Sequence, residues 1–174
     1  MQKLSDCHIF RGMDARTVEA ITQVLFRVEV DSGETLFTQG AEGTSLVIVL
    51  DGLFELVQAT EGGEIHLADV QPGRVIGLTS LIDPGPRTAT LRAMDDGVVA
   101  VLDAVTFQKL WSAQGDAAAK LHYQLALIAI EEVRSANRKL MELLDAPLPE
   151  RVPEHVRRLL PALDSKIYQA GSFR

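Results

Sequence analysis

Arg87 is the residue in this chain whose type and setting point most directly to chemistry with a charged ligand. It closes the stretch Gly77-Leu78-Thr79-Ser80-Leu81-Ile82-Asp83-Pro84-Gly85-Pro86-Arg87-Thr88-Ala89-Thr90. That stretch reads as a glycine-led turn, one helical turn, a Pro-Gly-Pro break and an arginine opening a strand. A glycine entry leaves the N–H groups of Gly77, Leu78 and Thr79 free to donate, and a guanidinium supplies the matching charge, so the pair forms a candidate cradle for a phosphate. Leu78 is the awkward member, an apolar side chain where a sugar phosphate would want a polar partner. Two plainer readings stay open: Arg87 as a strand-edge arginine paired with a carboxylate such as Asp83, and Gly77 as a tight turn and nothing more.

Other chemistries find little support. The single cysteine, Cys7, cannot form an internal disulfide, and with His8, His66, His122 and His155 it gives no zinc-type spacing. No nucleophile elbow, HExxH or Walker loop is present, so neither an enzyme nor a metal protein is expected, and no cofactor is required. The formal net charge of −7 carries no general attraction to nucleic acid or acidic membranes. The N-terminus lacks the apolar core of a signal peptide, and no apolar run reaches the roughly 18 residues of a membrane span. The expectation is a cytoplasmic protein in a reducing compartment, without a membrane partner.

The elements that must position the loop are legible from periodicity. Asp14 to Leu25 carries Val18, Ile21, Val24 and Leu25 at helical spacing, with Asp14 as N-cap. From Phe26 to Leu102 short β-rich runs recur: 26–30, 35–38, 46–50, 53–58, 65–70, 75–76, 88–93 and 98–102. Most of the thirteen glycines punctuate them. Regular short strands without intervening helices point to a sandwich or barrel. Ala104 to Ser112 returns to helical spacing, and a long helix free of glycine and proline runs from Asp116 to about Leu144. Pro147 and Pro149 mark its end.

That long helix bears two stripes. Leu121, Leu125 and Ile128 suit packing on the β-layer. Ala119, Tyr123, Ala126, Ile130, Val133, Asn137, Leu140 and Leu144 step by four and three, a seam of about three and a half heptads with Asn137 as its polar interruption. The seam predicts a parallel homodimer with Asn137 fixing register; the alternative is that the whole apolar surface is core within one chain. The proline-rich residues 145–174, with one amphipathic stretch at His155–Leu160, read as a tail that is partly ordered at best.

In this order the elements resemble the cyclic nucleotide-binding domain family, and more narrowly the sensor half of bacterial regulators of the catabolite-activator type. The resemblance covers about residues 4–144. It rests on Phe10-Arg11-Gly12-Met13, on the segment from Asp31 to Gly40, on Leu46-Val47-Ile48-Val49-Leu50-Asp51-Gly52, on Gln71-Pro72-Gly73-Arg74-Val75-Ile76-Gly77 and on Pro86-Arg87-Thr88-Ala89-Thr90. It implies a mainly β fold, a double-stranded β-helix or jelly-roll-like β-roll (residues 1–115 with the N-terminal helix) followed by the dimerisation-type helix at 116–144.

The resemblance also implies a site. Gly77, Leu78 and Thr79 would offer backbone donors and Arg87 the phosphate guanidinium. Thr88 would stand as the adjacent hydroxyl, and Ala89 as the small residue that lets the strand approach. The implied ligand is cAMP, cGMP or another phosphate-bearing small molecule. Leu78 departs from the family pattern, which places a glutamate there for the ribose 2′-hydroxyl. An unpartnered buried hydroxyl costs about 1–3 kcal/mol, so binding of a cyclic nucleotide is expected to be weakened; Asp83 or Glu34 are the carboxylates able to replace the glutamate. Two alternatives follow, a sensor of a different small anion and an interaction module with a vestigial pocket. The family's DNA-binding segment has no counterpart pattern in residues 145–174, where Arg151, Arg157 and Arg158 are dispersed, so direct DNA binding is not expected.

Overall fold

The computed structural model describes residues 7–112 and 115–145. The described chain enters through a 3-10 turn at His8–Phe10 and helix α1 (Ala15–Thr22). Asp14 caps α1 as its residue type predicts. Its carboxylate accepts from the Thr17 backbone N–H and the Thr17 hydroxyl, each at 2.9 Å, and so satisfies donors that the first turn leaves orphaned.

Ten strands follow among the described residues: β1 (Phe26–Val30), β2 (Thr35–Phe37), β3 (Glu42–Gly43), β4 (Ser45–Asp51), β5 (Phe54–Thr60), β6 (Gly63–Val70), β7 (Val75–Ile76), β8 (Gly85–Pro86), β9 (Thr90–Ala93) and β10 (Gly97–Asp103). Helix α2 (Leu78–Ile82) lies between β7 and β8, and α3 (Ala104–Ser112) and α4 (Asp116–Asp145) come after β10. One sheet has the order β1-β10-β4-β7, the other β2-β9-β5-β6, and β3 pairs with β8 alone. Every pairing is antiparallel. This is the β-roll with an N-terminal helix and a long helix after the strands that the sequence predicts.

Strand β4 shows why the roll forms. Its run Leu46-Val47-Ile48-Val49-Leu50 has no polar side, and all five residues are buried. Leu46, Ile48 and Leu50 join Ala100 and Leu102 of β10 in one apolar cluster with Ile9, Phe10, Ile21 and the helices. Val47, Val49 and Val99 face the other way, into a second cluster with Phe54, Val70 and Leu91 of the opposite sheet. A strand covered on both faces needs no alternation, and each such side chain stabilises the fold by roughly 1.5–3 kcal/mol through burial.

The first cluster also takes Leu78 and Leu81 from α2, Phe107 from α3, and Leu121, Leu125 and Ile128 from α4. The short stripe of α4 is thus core. The heptad residues Tyr123, Ala126, Ile130, Val133, Asn137, Leu140 and Leu144 are all exposed in the single chain, as is Ala119. The chain divides into two units within α4, the first ending at Glu132 and the second starting at Val133. Past Asp145, the tail expected over 145–174 lies outside the described residues, with His155–Leu160, Arg151, Arg157 and Arg158.

One local expectation is corrected. Arg87 does not open a strand; β9 begins at Thr90. The Arg87 backbone is taken up elsewhere: its N–H donates to Ala41 O at 2.8 Å and its carbonyl accepts from Gly40 N at 2.8 Å. Those bonds extend the small β3–β8 ladder, so the backbone around Arg87 is committed to the segment before β3 rather than to either four-stranded sheet.

Candidate functional site

Two glycines make room for the arginine. Gly77, the residue before α2, has φ +83°, a left-handed conformation that only glycine adopts freely. A Cβ there would collide with Arg87 Nη1 and lie 2.9 Å from the Ser45 carbonyl oxygen. Gly43 is not conformationally unusual but is equally crowded: a Cβ there would lie 2.7 Å from Arg87 Nε and 2.7 Å from Ser80 Oγ. The turn before α2 and the end of β3 therefore form the walls of one cradle, and the guanidinium lies in it.

The guanidinium is buried, with Arg87 only 6% exposed. Nη2 donates to Ser45 Oγ at 2.9 Å. The Phe37 ring lies against it, its centroid 4.1 Å from Cζ. Nε and Nη1 have no hydrogen-bond partner among the described residues, and no carboxylate pairs with the group. Asp83, the carboxylate considered from sequence, is exposed at the end of α2. Burial pushes the Arg87 pKa below its usual value, yet an arginine keeps its proton in proteins, so the folded state carries the cost of the buried charge.

Arg92 shows what this fold does with an arginine that has only a structural task. Its Nε donates to Glu55 Oε1 at 2.7 Å and its Nη2 to Glu64 Oε2 at 3.1 Å, joining β9, β5 and β6. Those carboxylates raise its pKa. Arg87, on the same stretch of chain, has a hydroxyl and a ring in their place.

The other predicted site residues divide. Gly77 and Arg87 are brought together. Thr79 and Thr88 are exposed residues, and Ala89, next to the arginine in sequence, is buried. Leu78 is 3% exposed and belongs to the apolar cluster with Leu81. Glu34, the other carboxylate considered, accepts from the Asp31 backbone N–H at 3.1 Å, within its own turn. The sequence reading missed Phe37, Gly43, Ser45 and Ser80. Ser80 stands in the same loop as Arg87 without a role of its own in the sequence, and Phe37, Gly43 and Ser45 come from before β5, where no local pattern links them to it. Among the described residues no group of three or more His, Cys, Asp or Glu side chains could hold a metal ion, and no helix is long and apolar enough to cross a membrane.

The fold is thus a β-roll in which the turn before α2 and the end of β3 enclose a buried arginine that has no carboxylate partner among the described residues. The cyclic nucleotide-binding domain family matches residues 27–114, and the chain belongs to that family. Over 157 residues it is 27% identical to the CRP-like cAMP-activated global transcriptional regulator of Mycobacterium tuberculosis, covering 90% of this chain and 68% of that protein. Two solved structures are similar. The Thermus thermophilus catabolite activator protein superposes with a TM-score of 0.71 at 27% identity, over 78% of this chain and 62% of that one. The N-terminal domain of a transcriptional regulator from Streptomyces coelicolor A3(2) gives 0.65 at 29% identity, over 78% of this chain and 92% of that one. The chain is thus a cyclic nucleotide-binding-type domain related to CRP-like regulators.

Proposed function

We propose that this chain is a non-catalytic sensor domain in the cytoplasm that binds a phosphate-bearing small molecule, cAMP or cGMP in the first instance, with Arg87 as its anion contact. The observation that carries the proposal is the buried Arg87 guanidinium, with Nε and Nη1 unpartnered and no carboxylate paired with it among the described residues. A buried charge left uncompensated costs on the order of several kcal/mol, and an arriving anion recovers that cost as binding energy. Gly77, Thr79 and the backbone of the turn supply further donors, and Thr88 adds an exposed hydroxyl. The names of the similar regulators, one of them cAMP-activated, favour a cyclic nucleotide within this class.

The output element is α4. Its seam residues Tyr123, Ala126, Ile130, Val133, Asn137, Leu140 and Leu144 support a parallel homodimer, and a ligand that favours one arrangement of that helix over another shifts the dimer between states.

Calorimetric titration of the protein with cAMP, cGMP and inorganic phosphate tests the proposal. The wild type is expected to bind at least one of them, and Arg87→Ala to weaken that binding by at least about tenfold, since a charge-assisted hydrogen bond is worth about 1.5–3 kcal/mol. If all three give no heat and no thermal shift with the wild type, the sensor reading fails and the vestigial-pocket reading stands.

A further inference from the structure

The two groups that touch the Arg87 guanidinium, Phe37 and Ser45, hold it without neutralising it. We propose that they are positioning residues for anion binding: they fix the guanidinium plane and leave its charge available to the ligand. This rests on the reading of Arg87 as the anion contact.

The chemistry of the contacts carries the argument. A carboxylate beside a buried guanidinium would compensate the charge, as Glu55 and Glu64 do for Arg92. It would also repel an incoming anion and compete with it for the same N–H groups. A ring face and a hydroxyl behave differently. The quadrupole of Phe37, 4.1 Å from Cζ, attracts the cation from one side and lowers the cost of burial. Ser45 Oγ accepts one bond from Nη2 at 2.9 Å, which sets the rotation of the plane. Nε and Nη1 are left over. Ser45 stands at the first position of β4, and its neighbours Leu46 and Val47 are locked into the two apolar clusters, so its hydroxyl has a rigid base. Phe37 ends β2, which pairs with β9, the strand that follows Arg87. The guanidinium is therefore held between the two sheets, one contact from each.

Ser80 belongs to the same cradle but in another role. Its Oγ and Arg87 Nε approach the same point, the Cβ that Gly43 lacks. No hydrogen bond joins it to the guanidinium, whose Nε has no partner among the described residues.

The test compares wild type, Arg87→Ala, Ser45→Ala, Ser45→Thr and Phe37→Leu, titrated with cAMP and with inorganic phosphate, with thermal melts recorded for each. Ser45→Ala and Phe37→Leu are each expected to weaken binding about 3- to 10-fold, the range set by one hydrogen bond or one cation–π contact. Ser45→Thr, which keeps the hydroxyl, is expected to restore it to within about twofold. A residue that merely supports the fold, or only parks the arginine in the free protein, would leave affinity unchanged or tighten it on removal. The sign of the change thus separates the roles. The Arg87 Nε–H resonance gives a second readout: the ring current of Phe37 shifts it, and Phe37→Leu is expected to remove that shift. Ser45→Ala carries the test if Phe37→Leu does not fold. If Arg87→Ala abolishes binding while Ser45→Ala and Phe37→Leu leave it within twofold, the positioning roles are wrong and the anion site stands. If the wild type binds neither probe and does not bind cGMP, both readings fall.

Discussion

Leu78 separates two accounts of the same loop. As the sequence resemblance places it, the side chain stands where a ribose carboxylate would be. In the structure it is 3% exposed and packs in the cluster that also holds Leu81, Leu121 and Leu125. Leu78→Glu decides between the accounts. If the side chain faced the ligand, the glutamate would rebuild a sugar contact and tighten cAMP binding. Packed in the core, it puts a carboxyl among leucines, where burial disfavours the charged form. The expected outcome is a loss of about 3 kcal/mol or more in urea unfolding, from the lost apolar burial and the unpaired polar group, with no gain in cAMP affinity. A tighter-binding variant of unchanged stability would place Leu78 at the ligand after all. The cradle itself depends on absence of side chain: at Gly77 the positive φ and the approach of Nη1 and Ser45 O both exclude a Cβ.

At the scale of elements, α4 carries the clearest division of labour. Leu121, Leu125 and Ile128 are buried on one side, while Tyr123 at 64% and Ile130 at 45% lie open on another. Both sets are apolar, and among the described residues only the first is buried. The proposed second copy on the heptad seam would cover the other. Sedimentation or light scattering at micromolar concentration is expected to give a dimer, and Ile130→Asp a monomer, because the residue is 45% exposed and belongs to neither buried cluster of the single chain. A monomeric wild type, or an Ile130→Asp variant that stays dimeric, would remove the seam as the interface.

The same elements show what periodicity reveals. Strands β1 and β7, helix α3 and the buried stripe of α4 were legible because five or more residues, or a bounded apolar pair, repeat one pattern. Strands β3 and β8 were not. They are two residues each, made of Glu42-Gly43 and Gly85-Pro86, residue types that mark turns, and only the tertiary approach of two loops makes them pair. That miss hid the surroundings of Arg87. The arginine stood out by its charge within a turn-rich stretch, but Ser45 and Phe37 look like ordinary strand residues. Their role comes from the distance between sheets, which no spacing along the chain encodes.

At the scale of the whole molecule the question is how the cradle reaches α4. The loop helix α2 and the first part of α4 contribute to one apolar cluster, through Leu78 and Leu81 on one side and Leu121, Leu125 and Ile128 on the other. Packed cores transmit displacement because they are dense. That route is indifferent to pH. A second tie is not. Lys120 Nζ lies 2.8 Å from Asp14 Oδ2 and 2.7 Å from Asp116 Oδ2, and so joins the cap of α1 to the first turn of α4. The hydrogen bond from Lys120, with those from Thr17, holds the Asp14 carboxyl far below the usual carboxylate range. Because the folded pKa lies below the unfolded one, the stabilisation is complete above the ordinary aspartate value of about 4 and is lost as the pH falls from there toward the folded value, where the unfolded chain takes up the proton first. Lys120 itself is raised by Asp116 and Asp14, so on its side the same pair is lost only as the pH rises past the ordinary lysine value, while at acid pH it is lost from the carboxylate side. The contribution of this pair to the urea midpoint is therefore expected to fall below about pH 4. Asp103, lowered by its bonds to Thr106, loses stabilisation in the same window, so Lys120→Met should reduce the acid slope without abolishing it. A slope identical in Lys120→Met and wild type would show that the tie between α1 and α4 contributes nothing measurable to stability.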